Sequence, residues 1–156
     1  MIAGVALGGT ASTEIDAPLD RVWAIVADVE SWPEWQKTLS AVDVEERDAE
    51  GRPSLCEVMF DAGVQTIRTL QRLRYEPPRS VTFSQEKGSL KSLHGSWRLE
   101  GLGDDRTRAA YELEVEPGGM LSMLVRGAVE ERLRELLVMR LPGELKARAE
   151  ADVRQA

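Results

Sequence analysis

Cysteine and histidine, the side chains most often used for covalent, metal or acid–base chemistry near neutral pH, are scarce in this 156-residue sequence. There is one cysteine, Cys56, and one histidine, His94. A zinc site needs several converging His, Cys or carboxylate ligands, and a Ser or Cys nucleophile needs a base to activate it. One residue of each kind meets neither requirement. Cys56 alternates in phase with Val58 and Phe60 and reads as a small buried filler, whereas His94, between Leu93 and Gly95, falls on the opposite, water-facing phase. A quieter set is more informative. Thr69, Gln71 and the hydroxyl of Tyr111 are in phase with Ile67, Leu73 and Leu113, so they point where water is excluded and can position a carbonyl or hydroxyl. No inward carboxylate, histidine or arginine joins them as a general acid or base, unless the strand near 65–75 slips by one residue and turns Arg68 inward. Pro117-Gly118-Gly119 lacks the glycine spacing and lysine of a phosphate loop.

The elements that must hold these residues follow from periodicity. Thr10 to Ile15 alternates like a strand, and Asp16-Ala-Pro18 then supplies a capping carboxylate and a first-turn proline. Leu19, Val22, Trp23, Val26 and Val29 recur three or four apart, which predicts a short amphipathic helix with Trp23 in its packed stripe. A second short helix is expected at Ser31-Trp-Pro-Glu-Trp35, with Ser31 capping it and Pro33 in its first turn. From residue 38 to 116 the period becomes two, broken by turn residues, and predicts six antiparallel strands near 38–46, 53–60, 65–75, 79–86, 90–100 and 106–116. One face is dry and the other wet. Leu121, Leu124, Val125, Val129, Leu133, Leu136, Leu137, Leu141 and Leu145 repeat with helical period through 119–151 and predict a long helix covering the dry face, kinked or broken at Pro142-Gly143. Met120 to Val125 reads as buried under the sheet, or as a cover at a cavity mouth.

Length and composition fit one ordinary globular domain, 1–156, with its core at about 10–151. The net charge of −7 and the mixed charges of the C-terminal third argue against nucleic-acid binding. No apolar run reaches the ~18 residues of a spanning helix, so stable membrane insertion is not expected. The apolar start, Met1 to Gly9, lacks a basic leader, and the single cysteine fits a reducing compartment; the cytoplasm is the expected location.

This element order, with Ile15-Asp-Ala-Pro18 followed by Val22-Trp23, Ala27-Asp28, Trp32-Pro-Glu-Trp35, Tyr75-Glu-Pro-Pro78, the run Ser89 to Leu99, and Thr107 leading to Tyr111-Glu-Leu-Glu-Val115, resembles the START-like helix-grip (SRPBCC) superfamily. Within it the chain is most similar to the bacterial polyketide cyclase/dehydrase and lipid-transport branch, over about residues 10–151. The resemblance implies an α+β helix-grip fold, in which a curved antiparallel sheet of about seven strands wraps around a long C-terminal helix. It also implies a cavity between sheet and helix that accepts an apolar or aromatic ligand.

With that geometry, the inward positions nominate Trp35, Phe60, Ile67, Thr69, Gln71, Phe83, Trp97, Tyr111 and Leu113 as cavity lining, joined by Val129, Leu133 and Leu136 from the helix. The bland alternative is that they fill a closed core. Binding or transport of a hydrophobic small molecule (a lipid, an aromatic polyketide or a quinone-like compound) is the expected function, with no metal or cofactor. The enzyme-class alternative is a metal-independent aromatase/cyclase, which would bend a poly-β-keto chain and assist proton transfer. A third reading is an accessory module that binds a protein or lipid at a mouth formed by Trp32, Trp35 and the Met120 segment.

Overall fold

The computed structural model describes residues 7–61, 65–119 and 127–155, with side chains through residue 151. The first strand, β1, spans Leu7–Ile15 and so begins before Thr10. Helix α1 follows at Leu19–Ala27 and buries Val22 and Val26. Trp23 packs against the core but is only half-buried. The expected Asp16 cap does not form. Pro18 occupies the N-cap position, and its carbonyl accepts from the amides of Arg21 and Val22, leaving Asp16 too far upstream to reach the helix end. A 3-10 turn at Val29–Ser31 leads into α2, Trp32–Trp35, with Pro33 in its first turn as expected. Ser31 does stand at the N-cap, yet its hydroxyl donates back to the Asp28 carbonyl at 2.8 Å instead of capping.

Six further strands complete the sheet: β2 Leu39–Arg47, β3 Pro53–Asp61, β4 Thr66–Glu76, β5 Ser80–Gly88, β6 Ser92–Gly103 and β7 Arg106–Glu116. The seven-stranded antiparallel sheet has the order β1-β7-β6-β5-β4-β3-β2, so the chain's first two strands lie at opposite edges and the two short helices bridge between them. The register of β4 is decided by its neighbour. Ile67 faces Phe60 and Thr69 faces Val58 across the ladder, which buries Ile67, Thr69, Gln71 and Leu73 together and leaves Arg68 exposed beside Glu57 at 3.4 Å. A slip by one would turn Arg68, Arg72 and Arg74 inward in their place, at prohibitive desolvation cost.

The C-terminal helix is in pieces. Helix α3, Ala128–Arg134, runs into a five-residue π turn at Glu135–Met139, and α4 resumes at Leu141–Gln155. The break expected near Pro142 is present, and it falls at Arg140 because Pro142 then occupies the first turn of α4, where its missing N–H is not needed. Leu133, Leu137, Val138, Leu141, Leu145 and Ala149 form the buried stripe. Edge strand β1 is tied to this helix by its backbone: the Gly8 carbonyl accepts from Arg134 Nε at 2.9 Å, the Glu14 carbonyl from Lys146 Nζ at 3.0 Å, and the Asp16 amide donates to Glu150 at 3.0 Å. These contacts occupy edge groups that would otherwise invite pairing. Met120 to Val125 lies outside the described residues.

Candidate functional site

The sheet's inner face and the helix leave between them a cavity of about 50 Å³, partly open to solvent. Its sheet wall is Val58 and Phe60 on β3, Gln71 on β4, Phe83 on β5, Leu93 on β6, and Tyr111 and Leu113 on β7. Leu137, at the π turn, and Leu141 supply the helix wall; Trp32, Gln36, Thr38 and Leu39 close the corner between α2 and β2. None of these side chains carries a charge.

An aromatic chain forms the backbone of the wall. Trp32 meets Phe83 edge-on at 6.0 Å between centroids, Phe83 stacks on Tyr111 at 6.2 Å, Tyr111 lies 4.7 Å from Trp97, and Trp97 lies 5.8 Å from Trp35. Trp97 and Tyr111 are direct cross-strand partners, and both are buried. Gly95 makes the arrangement possible. A Cβ there would stand 2.7 Å from the Phe83 ring and 2.6 Å from the Glu112 carbonyl, so only glycine lets the ring lie flat over β6.

The polar groups are few. Gln71 Nε2 donates to Thr69 Oγ1 at 2.7 Å, which satisfies two buried groups at once. Burial pushes the Tyr111 phenol well above its ordinary value, so it stays protonated and offers a hydroxyl, never a base. Gln36 is buried at the end of α2, and its Nε2 finds no acceptor among the described residues. The Cys56 thiol is pushed up to about 11, chiefly by burial, and lies in the core as an inert filler. His94 is on the outer face, 2.8 Å from Glu114 with both side chains exposed. Among the described residues no group of three or more His, Cys, Asp or Glu is arranged to hold a metal ion.

Of the twelve residues nominated from sequence, the structure brings Phe60, Gln71, Phe83, Tyr111 and Leu113 together on the cavity wall. Trp35, Ile67, Thr69, Trp97 and Leu133 are buried beside or behind that wall without lining it. Val129 is 37% exposed in the first turn of α3, and Leu136 is half-buried. The π turn explains Leu136: the Arg140 amide bonds the Glu135 carbonyl five residues back, and the extra residue rotates Leu137 and Val138, not Leu136, toward the sheet. Gln36, Thr38 and Leu39 were not legible as lining, because they follow a helix of four residues and carry no periodic signal. Val58, Leu93, Leu137 and Leu141 do have such a signal, shared with every other core residue.

The sequence matches the family described as polyketide cyclase / dehydrase and lipid transport over residues 15–141. The chain belongs to this family. No curated protein matches it in sequence. Among solved structures, a START superfamily protein from Mycobacterium smegmatis superposes with a TM-score of 0.80 at 20% identity, covering 93% of this chain and 98% of that one. The protein TTHA0849 from Thermus thermophilus gives a TM-score of 0.78 at 21% identity over 93% and 98% of the two chains. The Zhui aromatase/cyclase from Streptomyces sp. R1128 gives 0.72 at 18% identity over 96% of each. At these identities the likeness establishes the shared START-like fold. Among the described residues, no helix is long and apolar enough to cross a membrane.

Proposed function

We propose that this chain binds or carries a hydrophobic small molecule, of the lipid, aromatic polyketide or quinone-like kind, in the cavity between the sheet and the C-terminal helix. The observation that carries the reading is the lining itself: aromatic and aliphatic walls, two amides and two hydroxyl residues, and no ionised group. A site of this composition works by desolvation. Each Å² of apolar ligand surface buried there contributes ~25 cal/mol before the costs of association are subtracted. A general base finds little support here, since the lining has no histidine or carboxylate and burial raises the Tyr111 phenol above its ordinary value. The aromatase/cyclase alternative therefore rests on positioning by Gln71 and Tyr111.

The test is binding of a hydrophobic fluorescent probe, with native mass spectrometry of protein purified from its own host. Leu137→Trp and Val58→Phe fill the cavity from opposite walls and should each abolish probe binding while a cooperative thermal melt persists. Thr69→Val and Gln71→Leu should leave binding within about tenfold, each removing a hydrogen bond of ~0.5–1.5 kcal/mol net. Unchanged probe binding in both folded filling variants would refute the cavity. Turnover of a keto-chain substrate that Gln71→Leu abolishes without weakening binding would replace the carrier by the cyclase.

A further inference from the structure

The chain has two tyrosines, and the fold treats their hydroxyls differently. Tyr75 donates to the Pro53 carbonyl at 2.6 Å. Tyr111 has no hydrogen-bond partner among the described residues, and burial alone raises its phenol, with no neighbouring group contributing. Nor is its hydroxyl sealed in. Gln36 Nε2 and the indole nitrogens of Trp35 and Trp97 have almost no accessible surface, but the Tyr111 oxygen is not one of these enclosed atoms. The residue is 6% exposed and lies on the inner face of β7, where it borders the cavity. A strand side chain stands roughly perpendicular to its sheet, so the hydroxyl is the part of Tyr111 farthest from β7 and closest to the helix wall. That wall is made by the side chains of Leu137 and Leu141, which offer carbon only. Two other donors at the cavity are already served, Trp32 Nε1 by the Val26 carbonyl at 2.9 Å and Gln71 Nε2 by Thr69 Oγ1 at 2.7 Å.

A hydroxyl held at an apolar wall without an acceptor has an unused O–H, which a ligand oxygen can take up and a hydrocarbon cannot. Resting on the cavity reading above, we propose that the Tyr111 hydroxyl is a specificity determinant, donating to the carbonyl oxygen of an apolar ligand and so fixing which end of that ligand lies against β7. The donor is preorganised, because its ring is packed 4.7 Å from Trp97 and 6.2 Å from Phe83 between centroids. The bond shows itself as a difference. A ketone gives up more hydration than a hydrocarbon on entering the cavity, so it is the effect of removing the hydroxyl on each ligand, and not their raw affinities, that reports it.

Acetophenone and α-methylstyrene have the same shape, the carbonyl oxygen of one being a methylene in the other, and are monocyclic, in keeping with a cavity of about 50 Å³. Both are titrated by calorimetry against the intact protein and against Tyr111→Phe, which deletes only the hydroxyl. Tyr111→Phe should weaken acetophenone roughly three- to tenfold, the span of one net hydrogen bond, and change α-methylstyrene by less than about twofold. Its thermal midpoint without ligand should not fall, because no hydrogen bond within the protein is lost. In wild-type protein carrying isotope-labelled tyrosine, acetophenone should shift the Cζ resonance of Tyr111 more than that of Tyr75, whose hydroxyl is already paired. Equal losses for the two ligands, or no loss for the ketone, would overturn the inference while leaving the cavity intact. A lowered midpoint in Tyr111→Phe would overturn it as well, by showing that the hydroxyl has a partner in the free protein. Failure of both probes to bind the wild type would instead refute the cavity reading, and this inference with it.

Discussion

The two faces of the same sheet solve opposite problems. On the outer face, arginines and carboxylates alternate along neighbouring strands and pair across them: Arg72 reaches Glu86 at 2.8 Å and Glu46 at 3.2 Å, Arg108 reaches Glu100 at 3.1 Å, and His94 reaches Glu114 at 2.8 Å. Every member stays in contact with water, so losing a partner costs little. On the inner face the rings of Trp97, Tyr111 and Phe83 interlock, and the indole nitrogens of Trp35 and Trp97 and the Gln36 Nε2 find no acceptor among the described residues. There, shape and pairing cannot be repaired by solvent. The contrast teaches that the outer face tolerates substitution, whereas the inner face determines both stability and what the protein can hold.

The comparison breaks most severely at Trp97. The side chain is fully buried between Trp35 and Tyr111, so Trp97→Ala should destabilise the fold by about 3–5 kcal/mol in a denaturant melt. A loss below ~1 kcal/mol, far under that range for buried aromatics, would show that the inner face is loosely packed. Trp23, half-buried on α1, should cost distinctly less on the same substitution, which sets the scale within one protein.

A smaller effect is expected at Gly95, where addition replaces removal. The new methyl of Gly95→Ala would press on Phe83 and the Glu112 carbonyl, and overpacking of this kind costs about 1–3 kcal/mol. Because Phe83 lines the cavity, probe affinity should fall in parallel with stability. An unchanged melt and unchanged binding would mean that the ring is free to move aside.

The smallest effect belongs to the outer face. Hydrogen bonds from Arg72 hold the Glu86 carboxyl below its ordinary value. A carboxyl depressed in the folded state adds stability above its unfolded pKa and loses that contribution as pH falls through the folded one. Glu86→Gln should therefore lower stability slightly near neutrality, converge with wild type in acid so that the acid limb is flatter, and match wild type at ~1 M salt, where the screening length is ~3 Å. A salt-resistant loss comparable to that of Trp97→Ala would erase the distinction between the faces.

Period alone carried the strands, the dry and wet faces and the core positions Trp97 and Tyr111, because a two-residue repeat assigns each side chain to a face whatever the strand pairs with, whereas the register of β4 stayed open to a one-residue slip until its pairing with β3 decided it. The family resemblance rested on the same regularities, together with local signals such as Trp32-Pro-Glu-Trp35. What sequence could not distinguish was a core residue from a lining residue: Ile67 and Phe60 share a face and a phase, yet only Phe60 borders the cavity. That difference depends on where a curved sheet and a helix fail to touch, which no local pattern encodes. The helix wall shows the same limit, since Leu136 and Leu137 share the helical stripe, yet across the π turn Leu137 borders the cavity while Leu136 is half-buried away from it. Gln36 marks the boundary most clearly. It follows a helix of four residues and carries no periodic signal, and only the folding of α2 against the sheet buries its side chain beside the cavity.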